Sequence, residues 1–218
     1  MFVIDVVHAD PHCIVALKPS GLLAVPGRGD AGRDCLSERV RDRYPDALIV
    51  HRLDMATSGL MLFARGLAAQ RSLSGAFARR EVRKRYVAVV AGRLEAHEGE
   101  IALPLSADWP NRPRQQVDHE RGRAALTRYR VLEADTDTGT NAGPERDATR
   151  VELEPVTGRS HQLRVHLCAI GHPILGDALY GDAAVQSAAP RLLLHAATLA
   201  FAHPASGEPM SFDSAAPF

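Results

Sequence analysis

Residues 51–65 read HRLDMATSGLMLFAR, in which a histidine, an arginine and an aspartate fall within four positions. LMLFAR is an apolar run of the length typical of a buried strand. The Thr-Ser-Gly triplet before it is a turn signal. Asp54 therefore stands where a strand meets a glycine-containing loop, a place at which rigid scaffolds commonly carry chemistry. The stretch predicts a core strand and makes Asp54 the first candidate functional residue.

The segments on either side alternate between strand and helix patterns. CIVALK at 13–18 and LLAV at 22–25, joined by Pro-Ser-Gly, predict a hairpin. An N-cap at Asp34, apolar residues four apart and a following proline predict a short helix over 34–45. ALIV predicts a strand that leads into His51, and apolar residues at helical spacing in 67–80 predict an amphipathic helix.

The second half of the chain is rich in strand patterns. We predict strands at 86–92, 101–105, 125–133, 150–156, 191–201 and 209–212, several of them with the alternation of half-buried antiparallel sheet. A helix is predicted from near Ser160 to Gly171, and the Asp/Thr/Gly-rich segment 133–149 is predicted to be a mobile surface loop. Paired strands without a regular βα alternation favour an α+β fold, with a mixed, mainly antiparallel central sheet flanked by helices and loops.

Composition limits the function classes. The 218 residues, 45% of them apolar, suffice for one domain, and 26 basic residues balance 26 acidic ones, so attraction to nucleic acid must be local. Three widely spaced cysteines fit reduced thiols in the cytoplasm rather than a disulfide framework or a cysteine zinc site. The start does not resemble a signal peptide, and no apolar run approaches membrane-spanning length.

Several familiar types of site do not fit the sequence around their candidate residues. GRGDAG at 27–32 matches a dinucleotide-binding pattern but opens no βαβ unit. His161, His166 and His172 fall on different helical faces, so packing or hydrogen bonding explains them better than metal binding. Ser58 carries no sequence mark of a base partner, and neither a GxSxG elbow nor a phosphate-binding GxxxxGK[ST] loop is present. We predict no nucleotide cofactor and no metal.

Arg52 and Asp54 point the same way if the segment is extended. Arg52 would then keep Asp54 ionised and available as a nucleophile or base. A purely structural Arg-Asp pair explains the same spacing.

The stretch TGRSHQLRVHL, 157–167, places polar residues at the start of an apolar helix. Arg159, Ser160 and the N–H groups of the first turn fit an anion site, and His161 and Arg164 share one helical face. Arg164 fits equally well as the ion-pair partner of a distant acid.

Two further stretches combine cations with an aromatic ring. RREVRKRY, 79–86, sets Arg79, Arg80 and Arg83 close to Tyr86, which suits RNA phosphates and splayed bases. A solvated helix end beside a core tyrosine explains it too. DWPNRPRQ, 108–115, holds the only tryptophan, either as a hydrophobic anchor or in a substrate-facing loop.

Together the motifs resemble the RluA family of pseudouridine synthases over nearly the whole chain. The resemblance is carried by KPSGLLAVPG, HRLDMATSG, KRYVAVVAG, GRSHQLRVHL with GHPILGD, and RLLLHA, in that order. It implies the pseudouridine synthase fold, with residues 1–218 as a single catalytic domain and no added N-terminal RNA-binding module. It further implies an isomerase without cofactor, a cytoplasmic monomer away from membranes, and stem-loops of 23S rRNA and tRNA as partners. A non-catalytic RNA-binding module and a hydrolase using Asp54 are the alternatives.

The resemblance also implies residue roles. Asp54 would be the catalytic carboxylate, paired with Arg164, and Tyr86 would stack on the flipped uracil. Arg52 would help extrude the nucleotide, Leu194 would form the pocket floor, and Lys18 and His51 would support the site. The remaining predicted RNA-binding residues are Arg159, Arg79, Arg80 and Arg83.

Overall fold

The computed structural model describes residues 4–27, 34–135 and 147–218. The chain forms two compact units. Unit 1 comprises the described residues up to Lys84 together with His195–Pro217, and unit 2 comprises those of Arg85–Leu194 together with Phe218. The single-domain organisation stays a prediction.

Twelve strands and four helices follow one another along the described residues. They are β1 (Asp5–Ala9), β2 (Cys13–Lys18), α1 (Leu36–Arg43), β3 (Ala47–Ile49), β4 (Ser58–Arg65), α2 (Gly66–Ala78), β5 (Arg83–Ala91), β6 (Glu98–Ile101), β7 (Leu105–Ala107), β8 (Gln115–Val117), β9 (Thr127–Asp135), β10 (Ala148–Pro155), α3 (Gln162–Ala169), α4 (Ala183–Ser187), β11 (Leu194–Ala202) and β12 (Pro209–Asp213). Among these residues no helix is both long and apolar enough to cross a bilayer.

Unit 1 is built around β4, the LMLFAR strand. β4 pairs antiparallel with β2 and β3 and parallel with β11, while β1 and β12 extend the sheet on β2 and β11. Every residue of β4 except its last is buried. Leu60 and Leu62 pack with Leu73 of α2 and Leu199 of β11 in one apolar cluster. Burial of the continuous apolar run makes β4 an interior strand, and the HRLD segment precedes this strand in the chain.

Unit 2 holds an antiparallel sheet in the order β5-β10-β9-β6 and the separate β7-β8 pair. Helix α3 packs beside β8, β9 and β10. Val165 of α3 joins Leu105 and Ala125 in a small core. The prediction of an α+β fold with mainly antiparallel pairing is confirmed.

The predicted hairpin at 13–25 is wrong. β2 pairs with β1 and β4, and the carbonyl groups of Leu23 and Ala24 instead accept the N–H groups of Leu36 and Ser37 at the start of α1, at 2.8 and 3.2 Å. The 22–25 segment thus satisfies a helix end rather than a sheet edge. Asp34 is consequently not the N-cap, which is Cys35, and pairs with Arg39 at 2.7 Å.

Other element boundaries also differ from prediction. IALPL is not one strand, because Pro104, which has no N–H, separates β6 from β7. Helix α3 starts at Gln162 because His161 adopts a left-handed conformation with φ 53°. β1 was not predicted.

Two predicted loops fall largely outside the described part of the chain. The loop predicted at 133–149 overlaps the end of β9 and the start of β10. Its centre, 136–146, lies outside the described residues. GRGDAG lies outside them as well except for Gly27.

Candidate functional site

Asp54 lies in a tight turn between β3 and β4. The N–H of Thr57 donates to the Asp54 carbonyl at 3.1 Å, and Thr57 itself is buried. Asp54 is half-buried, whereas the next residue, Met55, exposes 54% of its surface. The turn therefore holds a carboxylate at the edge of the solvent, as a group that must meet a large substrate requires.

The buried side chain of Lys18 holds this turn in place. Its side chain is 1% exposed, and Nζ donates to the carbonyl oxygens of Pro19 at 2.9 Å, Leu22 at 2.6 Å and Met55 at 2.8 Å. Buried cations are stable only when hydrogen-bonded, and this ammonium uses all three of its donors. Lys18 thus ties the residue after Asp54 to the end of β2.

Two neighbours in the Pro-Ser-Gly turn reinforce the connection. The Gly21 N–H donates to the Met55 carbonyl at 2.9 Å, and Ser20 Oγ donates to the Ala56 carbonyl at 2.7 Å. Gly21 has φ +85°, which favours glycine. The KPSG motif was predicted as a hairpin turn, and its hydrogen bonds to the Asp54 turn were missed because they span about 36 residues of sequence.

His51 supports the same loop from the core side. Nε2 accepts the Leu62 N–H at 2.9 Å, which places the ring proton of neutral His51 on Nδ1, and the ring stacks on Phe77 at 4.6 Å. Burial, helped by the Lys84 ammonium, lowers the pKa of His51 from 6.5 to about 3. The predicted supporting roles of His51 and Lys18 agree with these contacts but stay predictions.

The TSG triplet has a structural explanation. Gly59, at φ +119°, lies so close to the Ala196 backbone of β11 that any Cβ would collide with it. Ser58 Oγ shares a 2.9 Å hydrogen bond with His195 Nδ1, whose Nε2 contacts Ser214 Oγ at 3.1 Å. Ser58 therefore does have a histidine beside it, which the sequence did not reveal. Both side chains are buried and the third member is a hydroxyl, so the arrangement bonds strands together rather than forming a nucleophile triad.

In unit 2, Arg164 forms a buried bidentate ion pair with Asp177. The Nε–Oδ2 and Nη2–Oδ1 distances are 2.8 and 2.6 Å, and the side chains are 5% and 1% exposed. Asp177 Oδ1 also accepts the N–H groups of Leu179 and Tyr180 at 2.9 and 3.1 Å. The alternative that Arg164 pairs with a distant acid is thus confirmed. The predicted contact with Asp54 would join the two units and stays a prediction.

The other unit 2 candidates occupy distinct positions. Tyr86 is half-buried in β5 opposite Leu153 of β10, and Leu194 is buried at the start of β11. Arg159 is half-buried and donates through Nε to the Ala124 carbonyl at 3.2 Å, and its N–H donates to Gln162 Oε1 at 3.1 Å. This last bond uses one of the groups assigned to the predicted anion site, which stays a prediction.

Three histidines of unit 2 form hydrogen bonds within the fold. His166 is fully buried between Thr127 Oγ1 at 2.9 Å and the Leu103 carbonyl at 3.0 Å. His161 contacts the Tyr180 hydroxyl at 2.7 Å, and His172 contacts the Ala91 carbonyl at 2.9 Å. Hydrogen bonding therefore explains all three, as predicted.

The basic segment 79–85 is less uniform than its sequence indicates. Arg79 forms an exposed bidentate pair with Glu81 at 2.8 and 2.9 Å, which neutralises part of the patch. Arg80 and Arg83 are exposed, and Arg80 has the unusual φ of 62°. Of the predicted RNA-binding arginines here, Arg80 and Arg83 are thus the better placed to contact a phosphate.

His8, Asp10 and Cys13 bring three ligand-type atoms within 4.8 Å of one another. Asp10, however, accepts the His12 and Cys13 N–H groups at 2.6 and 2.8 Å, a side-chain turn that joins β1 to β2. Burial, then the nearby Asp10, raises the pKa of the Cys13 thiol to about 12. The cluster fits a hydrogen-bonded turn.

Comparison with known proteins supports the family resemblance seen in the motifs. The family model described as RNA pseudouridylate synthase matches residues 12–169. The dual-specificity RNA pseudouridine synthase RluA of Yersinia pestis is 49% identical over 213 residues, covering 98% of this chain and 99% of that protein. Its counterpart in Escherichia coli K12 is 48% identical, covering 98% and 93%. Human RNA pseudouridylate synthase domain containing 1 superposes with a TM-score of 0.81 at 29% identity, covering 99% of this chain and 84% of that one. The chain therefore belongs to the RluA family of RNA pseudouridine synthases, isomerases that act on RNA.

Proposed function

We propose that this protein converts uridine to pseudouridine in stem-loops of both 23S rRNA and tRNA, with Asp54 as its catalytic carboxylate. The dual substrate is supported by the names of relatives about half identical over 99% and 93% of their lengths. The role of Asp54 is supported by its place in HRLD and by the contacts that hold its turn.

The reaction makes modest demands on the protein. The N1–C1′ bond of uridine breaks, the base turns, a C5–C1′ bond forms, and the C5 proton leaves while N1 gains one. Atoms and electrons balance within the nucleotide and water, so no redox partner is required. A single ionised carboxylate suffices, whether Asp54 attacks C1′, adds to C6 or removes the C2′ proton.

The observation that carries the proposal is the fixed geometry of the Asp54 turn. Lys18, Ser20 and Gly21 donate to the carbonyl groups of Met55 and Ala56, directly after the carboxylate. A reacting group held in place lowers the entropic part of the barrier, and its supporting hydrogen bonds set the precision. A loop that only bound RNA would not need such restraint on one acid.

The remaining roles are part of the same proposal. Tyr86 stacks on the flipped uracil, which offsets part of the few kcal/mol lost on unstacking with about 1–3 kcal/mol. Arg52, exposed two residues before Asp54, helps extrude the nucleotide, and Arg164 acts with Asp54 in catalysis. Leu194 forms the apolar floor of the substrate pocket.

We also propose that the protein works as a cytoplasmic monomer. Its three cysteines are unbridged, and Cys13 and Cys35 are buried, which fits a reducing compartment.

In the direct test, purified protein is incubated with transcripts of a 23S rRNA stem-loop and a tRNA anticodon stem-loop, and nucleosides are analysed after digestion. We expect pseudouridine in both transcripts with unchanged RNA mass. Conversion of only one transcript would contradict the proposed dual specificity. Binding without conversion would favour the RNA-binding module, and a released product containing water oxygen would favour the hydrolase.

A further inference from the structure

Trp109 is the most exposed large apolar side chain among the described residues. It exposes 67% of its surface, compared with 62% for Leu67 and 54% for Met55. An indole in water forgoes a large gain from burial, and exposed aromatic side chains commonly mark contact surfaces. The ring lies in the 108–114 loop between β7 and β8 of unit 2.

Hydrogen bonds restrain this loop. Asp108 and Arg114 are joined by a backbone hydrogen bond of 3.0 Å, and the Asp108 carboxylate accepts the Asn111 side-chain amide at 3.0 and 3.1 Å. At the end of the loop, the Gln115 N–H donates to the Tyr180 hydroxyl at 2.8 Å. Trp109 is therefore presented on an ordered loop, which lowers the entropic cost of binding to it.

One arginine supplies charge at the ring, and a second follows at the end of the same loop. The Arg112 guanidinium lies over the Trp109 ring at 4.5 Å, and Arg114 lies over Tyr180 at 5.5 Å. The one acid of the loop, Asp108, is engaged by Asn111. A cation stacked on an exposed indole fits a nucleic acid base with its adjoining phosphate, because the base offers a π face and the phosphate a negative charge.

We propose that Trp109 and Arg112 form a second RNA contact site, at which an unpaired base of the substrate stacks on the indole while Arg112 and Arg114 neutralise neighbouring phosphates. The proposal rests on the proposed function, since it assigns part of the same substrate to unit 2. It makes Trp109 a determinant of affinity rather than a catalytic residue.

Trp109 also reports on its own binding, because it is the only tryptophan in the chain. Titrating the Asp54→Asn protein with a tRNA anticodon stem-loop should quench the tryptophan fluorescence saturably, with the same Kd that fluorescence anisotropy of labelled RNA gives. In that background Trp109→Ala should weaken RNA binding about 5- to 150-fold, the range expected for one stacked base. Trp109→Phe should keep most of the affinity.

Leu67→Ala, at an equally exposed apolar position in α2, is the matched control and should bind as the parent does. Unquenched fluorescence together with unchanged affinity of Trp109→Ala would overturn the proposal. Should the wild type self-associate, contrary to the proposed monomer, and Trp109→Ala abolish this with unchanged RNA affinity, the proposal would also be overturned, because the ring would then contact a second copy of the protein. Pseudouridine formation by the wild-type protein, measured separately, shows whether the proposed function stands.

Discussion

Lys18 Nζ donates a 2.8 Å hydrogen bond to the carbonyl oxygen of Met55, the residue that follows Asp54. The same ammonium binds Pro19 and Leu22, so one buried cation connects the end of β2 to the turn of the candidate catalytic acid. The position of Asp54 therefore depends on a residue 36 places earlier in the chain.

The first prediction concerns Lys18→Met, which keeps the length of the side chain and removes its donors. We expect the free energy of unfolding to fall by about 2–4 kcal/mol, because three carbonyl groups lose a charged donor that is itself buried. We also expect kcat to fall more than KM rises, because the turn loses its restraint. Urea unfolding and steady-state pseudouridine formation measure the two effects.

Ser20→Ala is the graded control for Lys18. It removes only the bond to the Ala56 carbonyl and should cost about 1 kcal/mol. If Lys18→Met matched the wild type in kcat, the turn would not need the lysine for its function.

The second prediction uses the pH dependence of stability. The pKa of His51 is lowered from 6.5 in the unfolded chain to about 3 in the folded protein, mainly by burial. As pH falls below 6.5 the unfolded chain takes up a proton that the folded protein does not, so stability is present above pH 6.5 and lost on acidification. Relative to His51→Gln, the wild type should lose about 1–2 kcal/mol between pH 6.5 and 5, because its ring stays neutral in the folded protein.

Chemical denaturation at several pH values measures this difference. Subtracting the His51→Gln curve removes the common contribution of the carboxyl groups. Parallel stability curves for the two proteins would show that His51 is protonated as readily when folded as when unfolded.

The third prediction concerns the Arg164–Asp177 pair. Asp177→Asn should lower the free energy of unfolding by about 3–5 kcal/mol, because it leaves a buried guanidinium without its counterion. The double variant Arg164→Met with Asp177→Asn should recover part of this stability, because no charge stays buried and the amide oxygen can still accept the Leu179 and Tyr180 N–H groups. Arg79→Ala, which breaks the exposed pair with Glu81, is the control and should change stability by less than about 1 kcal/mol. Equal effects at the buried and exposed pairs would contradict the role given to burial.

The fourth prediction concerns the basic segment. Replacing Arg79, Arg80 and Arg83 together by alanine should weaken RNA binding and flatten its salt dependence by about 0.7 for each lost phosphate contact. Arg79→Ala alone should contribute least, because Arg79 already pairs with Glu81. A charge-matched variant at the exposed Arg41, Arg43 and Arg71 should leave the slope in place. An unchanged slope in the first variant would make these arginines a solvated surface.

The sequence predicts the local elements well and their long-range hydrogen bonds poorly. β4 was predicted from its apolar run, because burial on both faces leaves a direct mark on composition. The partners of Lys18 and Arg164 were not, because Met55 and Asp177 are joined to them by tertiary contacts that no local period encodes. The motifs HRLDMATSG and GHPILGD did contain these partners. The hairpin prediction at 13–25 failed for the same reason, since the 22–25 carbonyl groups serve the start of α1.

The most direct measurement is tritium release from RNA labelled at uracil C5, comparing Asp54→Asn with the wild-type protein. The amide keeps the size of the side chain and cannot ionise, so release should fall to background while RNA affinity is largely retained. Release by Asp54→Asn at the wild-type rate would contradict the assignment of Asp54 as the catalytic carboxylate.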